Sequence, residues 1–393
     1  VASFIFAALA ASGAYLARQF YEHEQARERQ ALRQEITAAI LSAEPGEVRE
    51  ALSLSVRLGS IDEMPAELRA DLAFGEAVAL LDLGERSSDQ LRALIPLVEA
   101  PLREALAATA DYADTGIAPK SDALPLPSTA LDPRASYLFG RLKQIASIDG
   151  LADLEAAFRA ERGAVRLARV EHALTLFIRG KKREARTILS EKPIDEAPRA
   201  AAVASLLGLG EPFQDEIEAS SPFDVFLCEL ARIHAEYRAG RAAEARERIL
   251  AIPLTESGRG AIEALLLYRV AESTGALERA NSALELALER HPEDAALRAE
   301  AARLAARRGD LERSSVLVEA LPPERTRELR AELAFRAKDA EAIASLVQEL
   351  EAAEEEPSLI FALRLRHALL ARDEVASSRT EGGKGRSGER LDA

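Results

Sequence analysis

Apolar residues recur three and four positions apart along most of the chain, with Arg and Glu between them. That is the spacing of one helix face, not the alternation of a strand. The first segment breaks the rule. Val1 to Ala17 carries no charge at all, and Arg18, Phe20 and Tyr21 follow it. A run of this length sits at the lower edge of what crosses a bilayer as a helix. Phe4, Ile5, Phe6, Leu9 and Leu16 would face lipid, with Tyr15 near an interface. The helical register continues from Gln19 to Ser42 without Gly or Pro, as expected of a helix leaving a membrane for a soluble body. A cleaved secretory signal competes, since Ala8-Leu9-Ala10 has the small-x-small form of a cleavage site, although no basic segment precedes it, and a buried core helix is the third reading.

Beyond Pro45-Gly46 the pattern predicts short helices near 47–57, 65–82, 88–97 and 99–113, punctuated by Gly59, Gly84 and Pro101. Residues 117–133 hold four prolines and no helical period, which predicts a loop or linker. The expected organisation is a transmembrane anchor at 1–21, a helical region at 22–116, a Pro-rich linker at 117–135, a repeat region at 136–378 and a flexible tail at 379–393.

The repeat is a helix, a Gly turn, and a second helix with a small residue five positions after the Gly. Gly180 precedes Ala185, Gly240 precedes Ala245, Gly275 precedes Ala280 and Gly309 precedes Ser314. Ala337 with Ala342, and Ala371 with Ala376, keep the spacing without Gly, while Gly150 and Gly210 fit the series of turns without the small residue. Gly lets the chain leave a helix in a left-handed conformation, and a small side chain lets the two helices approach. One such pair cannot bury its apolar stripe alone, so pairs stack.

Ala261 to Asp294 resembles a tetratricopeptide repeat. Leu267 stands at the large apolar position of the first helix, Gly275 at the turn, Ala280 and Ala287 at small positions with Leu284 between them, and Pro292 at the closing position. Ala302, Gly309, Ser314 and Val318 repeat the arrangement in the next unit. Tyr268 stands at a normally small position, Ala271 and Ala305 replace an aromatic, and the closing proline shifts to Pro322-Pro323. The resemblance implies an all-α, tetratricopeptide-like helix-turn-helix solenoid that binds proteins along its first helices. Carried over by position, that surface comprises His234, Tyr237, Arg238, Arg269, Arg303 and Arg307. Its arginines would favour acidic peptides or a C-terminal carboxylate.

Composition narrows the function. Of 393 residues, 48% are hydrophobic and 30% charged, and the helix formers Ala, Leu, Glu and Arg dominate. A net charge of −15, with basic residues mixed among acidic ones, argues against nucleic-acid binding. The excess of Arg over Lys fits a GC-rich bacterial genome. Cys228 stands alone in Phe226-Leu227-Cys228-Glu229-Leu230 and reads as a small buried residue. His23, His172, His234, His291 and His367 show no metal-ligand spacing, and no phosphate-binding loop or nucleophile elbow occurs. The Gly382 to Gly388 stretch is Gly-rich and basic but has no flanking element. No catalytic residue, metal, cofactor or small-molecule substrate is therefore expected. The expected function is a membrane-anchored interaction scaffold or assembly subunit of an envelope complex, on the bacterial inner membrane with its soluble part in the periplasm. The alternatives are a secreted or periplasmic peptide-binding module and a permanent structural subunit of a secretion or motility machine.

Overall fold

The computed structural model describes residues 2–372 apart from 84–87, 118, 120–123, 125–131, 147–149, 162–163, 193–196, 210–212, 214–218, 220, 254–259, 291, 293, 322, 353–359 and 371, with side chains described from residue 18 onward except at 260–261, 290, 323–325, 328 and 352. The chain is all-α, with no strand among the described residues. It divides into two compact units, Val1–Ala276 and Leu277–Ala393. The division falls inside the stretch that most resembles a tetratricopeptide repeat.

The first unit opens with α1 (Ala2–Ser42), one helix of 41 residues. At 1.5 Å per residue it is about 60 Å long. Arg18 to Ala31 is exposed on every side, and burial begins only near Ile36 and Ile40. Phe4, Ile5, Phe6, Leu9, Tyr15 and Leu16 lie on this helix, but their side chains fall outside the described set. Among the described residues, no helix is long and apolar enough to cross a membrane.

Next come α2 (Pro45–Ser55), α3 (Ala66–Asp82), α4 (Ser88–Leu94) and α5 (Leu102–Thr115), close to the expected ranges. Then follow α6 (Pro133–Ile145), α7 (Leu151–Arg159), α8 (Arg166–Ile178), α9 (Lys182–Ser190), α10 (Pro198–Leu207), α11 (Pro222–Arg238), α12 (Ala242–Ala251) and α13 (Gly260–Ser273). Pro133 starts α6 at a position that needs no backbone donor, and the Asp132 carboxylate accepts from the Arg134 amide at 2.8 Å. Helices pack on their sequence neighbours and on the helix two further along, as α8 does on α9 and α10. The helices on either side of the Pro-rich stretch share this unit, because α3 and α5 pack on α6 and α1 packs on α8.

The second unit contains α14 (Leu277–Arg290), α15 (Ala295–Arg308), α16 (Leu311–Glu319), α17 (Pro323–Arg336), α18 (Ala340–Ala352) and a helical stretch at 360–370. Asp294 caps α15 by accepting from the amides of Ala296 and Leu297. Ala299, Ala302, Val318, Leu321 and Leu329 form one core cluster, and Ile343, Leu346, Leu350 and Leu363 belong to another.

The turns obey one geometry. At Gly180, Gly240, Gly275 and Gly309 the glycine has positive φ, its amide bonds three residues back, and the next amide bonds five residues back. This is the paired closure that satisfies the last carbonyls of a helix. Ala185, Ala245, Ala280 and Ser314, five positions on, are completely buried. Three expected turns need correction. The α10 turn is made by Gly208, whose amide bonds Ser205 O at 2.9 Å; Gly210 lies outside the described residues. Gly150 has φ −97, and a side chain there would collide with the Gly140 carbonyl, so its glycine serves the approach of α7 to α6. After α17 the left-handed residue is Lys338 (φ 57), not Ala337, and the buried residue five positions later is Ile343 rather than Ala342. The Ala371–Ala376 pair and the tail from 379 fall outside the described residues.

Candidate interaction site

The six residues expected to line a binding surface are divided between the two units. His234, Tyr237, Arg238 and Arg269 belong to the first unit, and Arg303 and Arg307 to the second. Arg269 is turned inward: its Nε donates to Ile178 O at 2.9 Å, closing the end of α8, and its Nη1 lies 3.6 Å from Glu272. Arg303 is bound to Glu300 on its own helix. Both guanidinium groups are thus engaged within the protein. Arg307 is exposed at the end of α15.

His234 and Arg238 meet two cations that the sequence reading missed. Arg186 of α9 donates from Nε to Leu207 O at 2.6 Å, at the end of α10. A side chain at Gly208 would lie 3.0 Å from Arg186 Nη2 and 3.1 Å from Arg238 Nη1, so both guanidinium groups sit over this glycine. Lys182 completes the group. Burial, and then the charges of Arg186 and Arg238, push its pKa down. His234 is buried, and burial together with Lys182 and Arg238 pushes its pKa down to about 4, so it is neutral at neutral pH. Among the described residues, Lys182, Arg186 and Arg238 have no carboxylate partner. The negative end of α10 holds three cations together, and an incoming carboxylate would relieve their mutual repulsion. Tyr237, the residue before Arg238 on α11, is exposed. The signal in the sequence was the Glu-Ala-Arg that follows two of the turns, Glu184-Ala185-Arg186 and Glu244-Ala245-Arg246.

A second constellation lies inside the same unit. Arg199 of α10 bonds Asp224 at 2.6 Å and Glu171 at 2.6 Å, and its Nη2 is 3.4 Å from Asp82. Arg141 of α6 bonds Asp82 at 2.9 Å and Tyr137 at 2.8 Å, and is 3.2 Å from Glu171. Ser221 donates to Asp224 at 2.6 Å. All of these side chains are buried. Burial alone would lower the pKa of Arg199, but Asp224, Asp82 and Glu171 outweigh it and hold the value well above normal. The cluster contains three carboxylates and two guanidinium groups. Nearby, Asp71 is held by Arg134 at 2.6 Å and by Thr37 at 2.9 Å, which ties α1, α3 and α6 together.

Glu44 stands at the edge of this cluster, in the turn between α1 and α2. The preceding Ala43 is buried and carries φ 57, an uncommon conformation for a residue with a side chain. Burial pushes the Glu44 carboxyl up to about 8; Arg199 opposes the shift, while Asp224, Glu47 and Asp82 add to it. A cavity of about 470 Å³ adjoins it, lined also by Ser42, Glu47, Arg166, Leu167, Val170 and Ala197. Cys228 is buried, and its thiol is pushed up to about 12 by burial and by Asp224, so it is not a thiolate. Among the described residues, no three His, Cys, Asp or Glu side chains are placed to hold a metal ion. The charges inside the unit face one another and reach across helices, an arrangement suited to fixing the packing. The charges over Gly208 face outward, an arrangement suited to binding. No protein-family model matches the chain, and no curated protein matches it.

Proposed function

We propose that the protein is an interaction scaffold of helical pairs, tethered by its first helix to a bacterial inner membrane with the helical units on the periplasmic side. The observation that carries the binding role is the group Lys182, Arg186 and Arg238: three cations at one helix end, without a carboxylate partner among the described residues, in a chain of net charge −15. A partner's acidic segment or C-terminal carboxylate supplies the missing charge. The repeated Gly turn with a buried Ala or Ser five positions later supports reading the helical pairs as tetratricopeptide-like.

The tether rests on α1. Its charge-free start runs into a segment exposed on every side, and only its last turns enter the body. A helix that is polar all round spans solvent between two supports. The body is one support, and a membrane is the other in this reading.

The test is co-purification of full-length protein from detergent-solubilised native membranes, as wild type and as Lys182→Ala/Arg238→Ala. The expected result is recovery from the membrane fraction with a stoichiometric set of proteins, reduced in the variant. Recovery of the wild type alone, from the soluble fraction, would overturn both the tether and the scaffold.

A further inference from the structure

A groove of about 970 Å³ runs between α16, α17 and α18 of the second unit. Its floor is apolar. Val318 and Leu321 come from one core cluster, Leu346 and Ala334 from the other, and the partly buried Leu333 lies between. The walls are low, because Ser315, Ala337, Ala342 and Ser345 are small.

The rim is acidic. Glu312 and Glu319 stand exposed on α16, seven residues apart and hence on one face about 10 Å from each other. Neither has a side-chain partner among the described residues. Asp339 caps Ala342 with its side chain, at 2.8 Å, and Glu349 lies 3.2 Å from Arg330. Among the described residues Arg330 is the only cation lining the groove, and Glu349 already occupies it. The field in the groove is therefore negative over an apolar floor.

We infer that this groove takes a basic amphipathic helix of a partner protein, its apolar face against Val318, Leu321, Leu333 and Leu346 and its Lys or Arg side chains reaching Glu312 and Glu319. A helix suits the site because the walls are themselves helices, and because two cations seven residues apart on a helix match the spacing of the two glutamates. The contact is distinct in charge from the cationic group over Gly208, which selects acidic segments. The inference rests on the scaffold reading and names the chemistry of one partner.

Fluorescence anisotropy with the full-length protein at physiological salt tests it. The probe is a labelled helical peptide of Leu, Ala and Lys with its lysines on one flank. The comparison peptides replace every Lys by Glu, or every Leu by Ser. The expected result is binding of the first peptide only, weakened about tenfold in Glu312→Gln/Glu319→Gln and blocked in Ser345→Trp. Glu244→Gln/Glu247→Gln, which removes two exposed acids from α12, leaves it unchanged. Equal binding of the Lys and Glu peptides, or equal losses in the two Glu→Gln double variants, would overturn the inference. Membrane-derived partners that stay with Glu312→Gln/Glu319→Gln alongside such a result leave the scaffold intact and the groove without this role.

Discussion

Arg246 of α12 donates from Nη2 to the carbonyl oxygen of Gly275, 2.7 Å away, just beyond the end of α13. Arg186 does the same for Leu207 at the end of α10, at 2.6 Å. Each arginine follows the buried alanine of its own helix, so the residue that permits close packing is followed by one that finishes a neighbouring helix. Removing either cation leaves a terminal carbonyl to water and weakens a helix end. Arg246→Ala and Arg186→Ala are each expected to cost about 1 kcal/mol, read as a lower midpoint in urea denaturation. Arg246→Lys should recover only part of this, since an ammonium group lacks the planar fork of guanidinium.

The buried cluster gives an asymmetric expectation. Arg199→Met takes the guanidinium partner from Asp224 and leaves Arg141 as the cluster's remaining guanidinium beside Asp82 and Glu171, and losing one partner of a buried ion pair costs about 3–5 kcal/mol. Asp82→Asn leaves two carboxylates with two guanidinium groups. It should cost clearly less, despite an equally buried position. Equal losses in equilibrium unfolding would show that the excess negative charge has no energetic weight.

Glu44 makes stability depend on pH with a definite sign. Its folded pKa of about 8 lies above the ordinary value of 4.5, so the folded state binds the proton more tightly. The stabilisation is complete below pH 4.5, declines as pH rises, and is exhausted above about 8. Glu44→Gln keeps the neutral shape and cannot ionise. Its Tm relative to wild type should rise between pH 5 and 8 and level off above. A constant difference across that range would mean that Glu44 is ionised in the folded protein throughout.

Lys338 occupies the turn position that glycine holds at Gly240 and Gly309. A side chain in this conformation costs roughly 1 kcal/mol. Lys338→Gly should therefore stabilise the second unit by several tenths of a kcal/mol, after the added freedom of glycine in the unfolded chain is subtracted. Gly240→Ala, with open space around it, should destabilise by about 1 kcal/mol through backbone strain alone. Paired thermal melts of the two variants check both signs.

The helices and the spacing from turn to buried small residue were legible in the sequence, because Ala185, Ala245, Ala280 and Ser314 report helix packing through a local spacing. It carried less of the turn chemistry where glycine is replaced or displaced. Lys338 shows that a helix end can be left-handed without the residue that usually signals it, and Gly208 stood two positions from the glycine chosen. The interior charges were harder to read. In a chain dense with Arg and Glu, a charged side chain is by default solvated, and Arg199 and Asp224 differ from their neighbours only through tertiary packing. One clue was present at α8. Its apolar residues lie on every face from Leu167 to Ile178, so Glu171 had no solvated side to occupy. The course of individual arginines was illegible for a related reason: position in a helix fixes where a side chain starts, but nearby groups, Ile178 O for Arg269 and Glu300 for Arg303, decide where it ends.

A repeat array ordinarily tolerates changes in copy number, since each module meets only its neighbours. Arg199 removes that freedom here. It joins α10 to Asp82 of α3, Glu171 of α8 and Asp224 of α11, the farthest of them, Asp82, 117 residues away along the chain. Duplicating or deleting a helical pair between α3 and α11 would strand a charge in the interior. Lengthening by tandem duplication is thus confined to helices outside this knot.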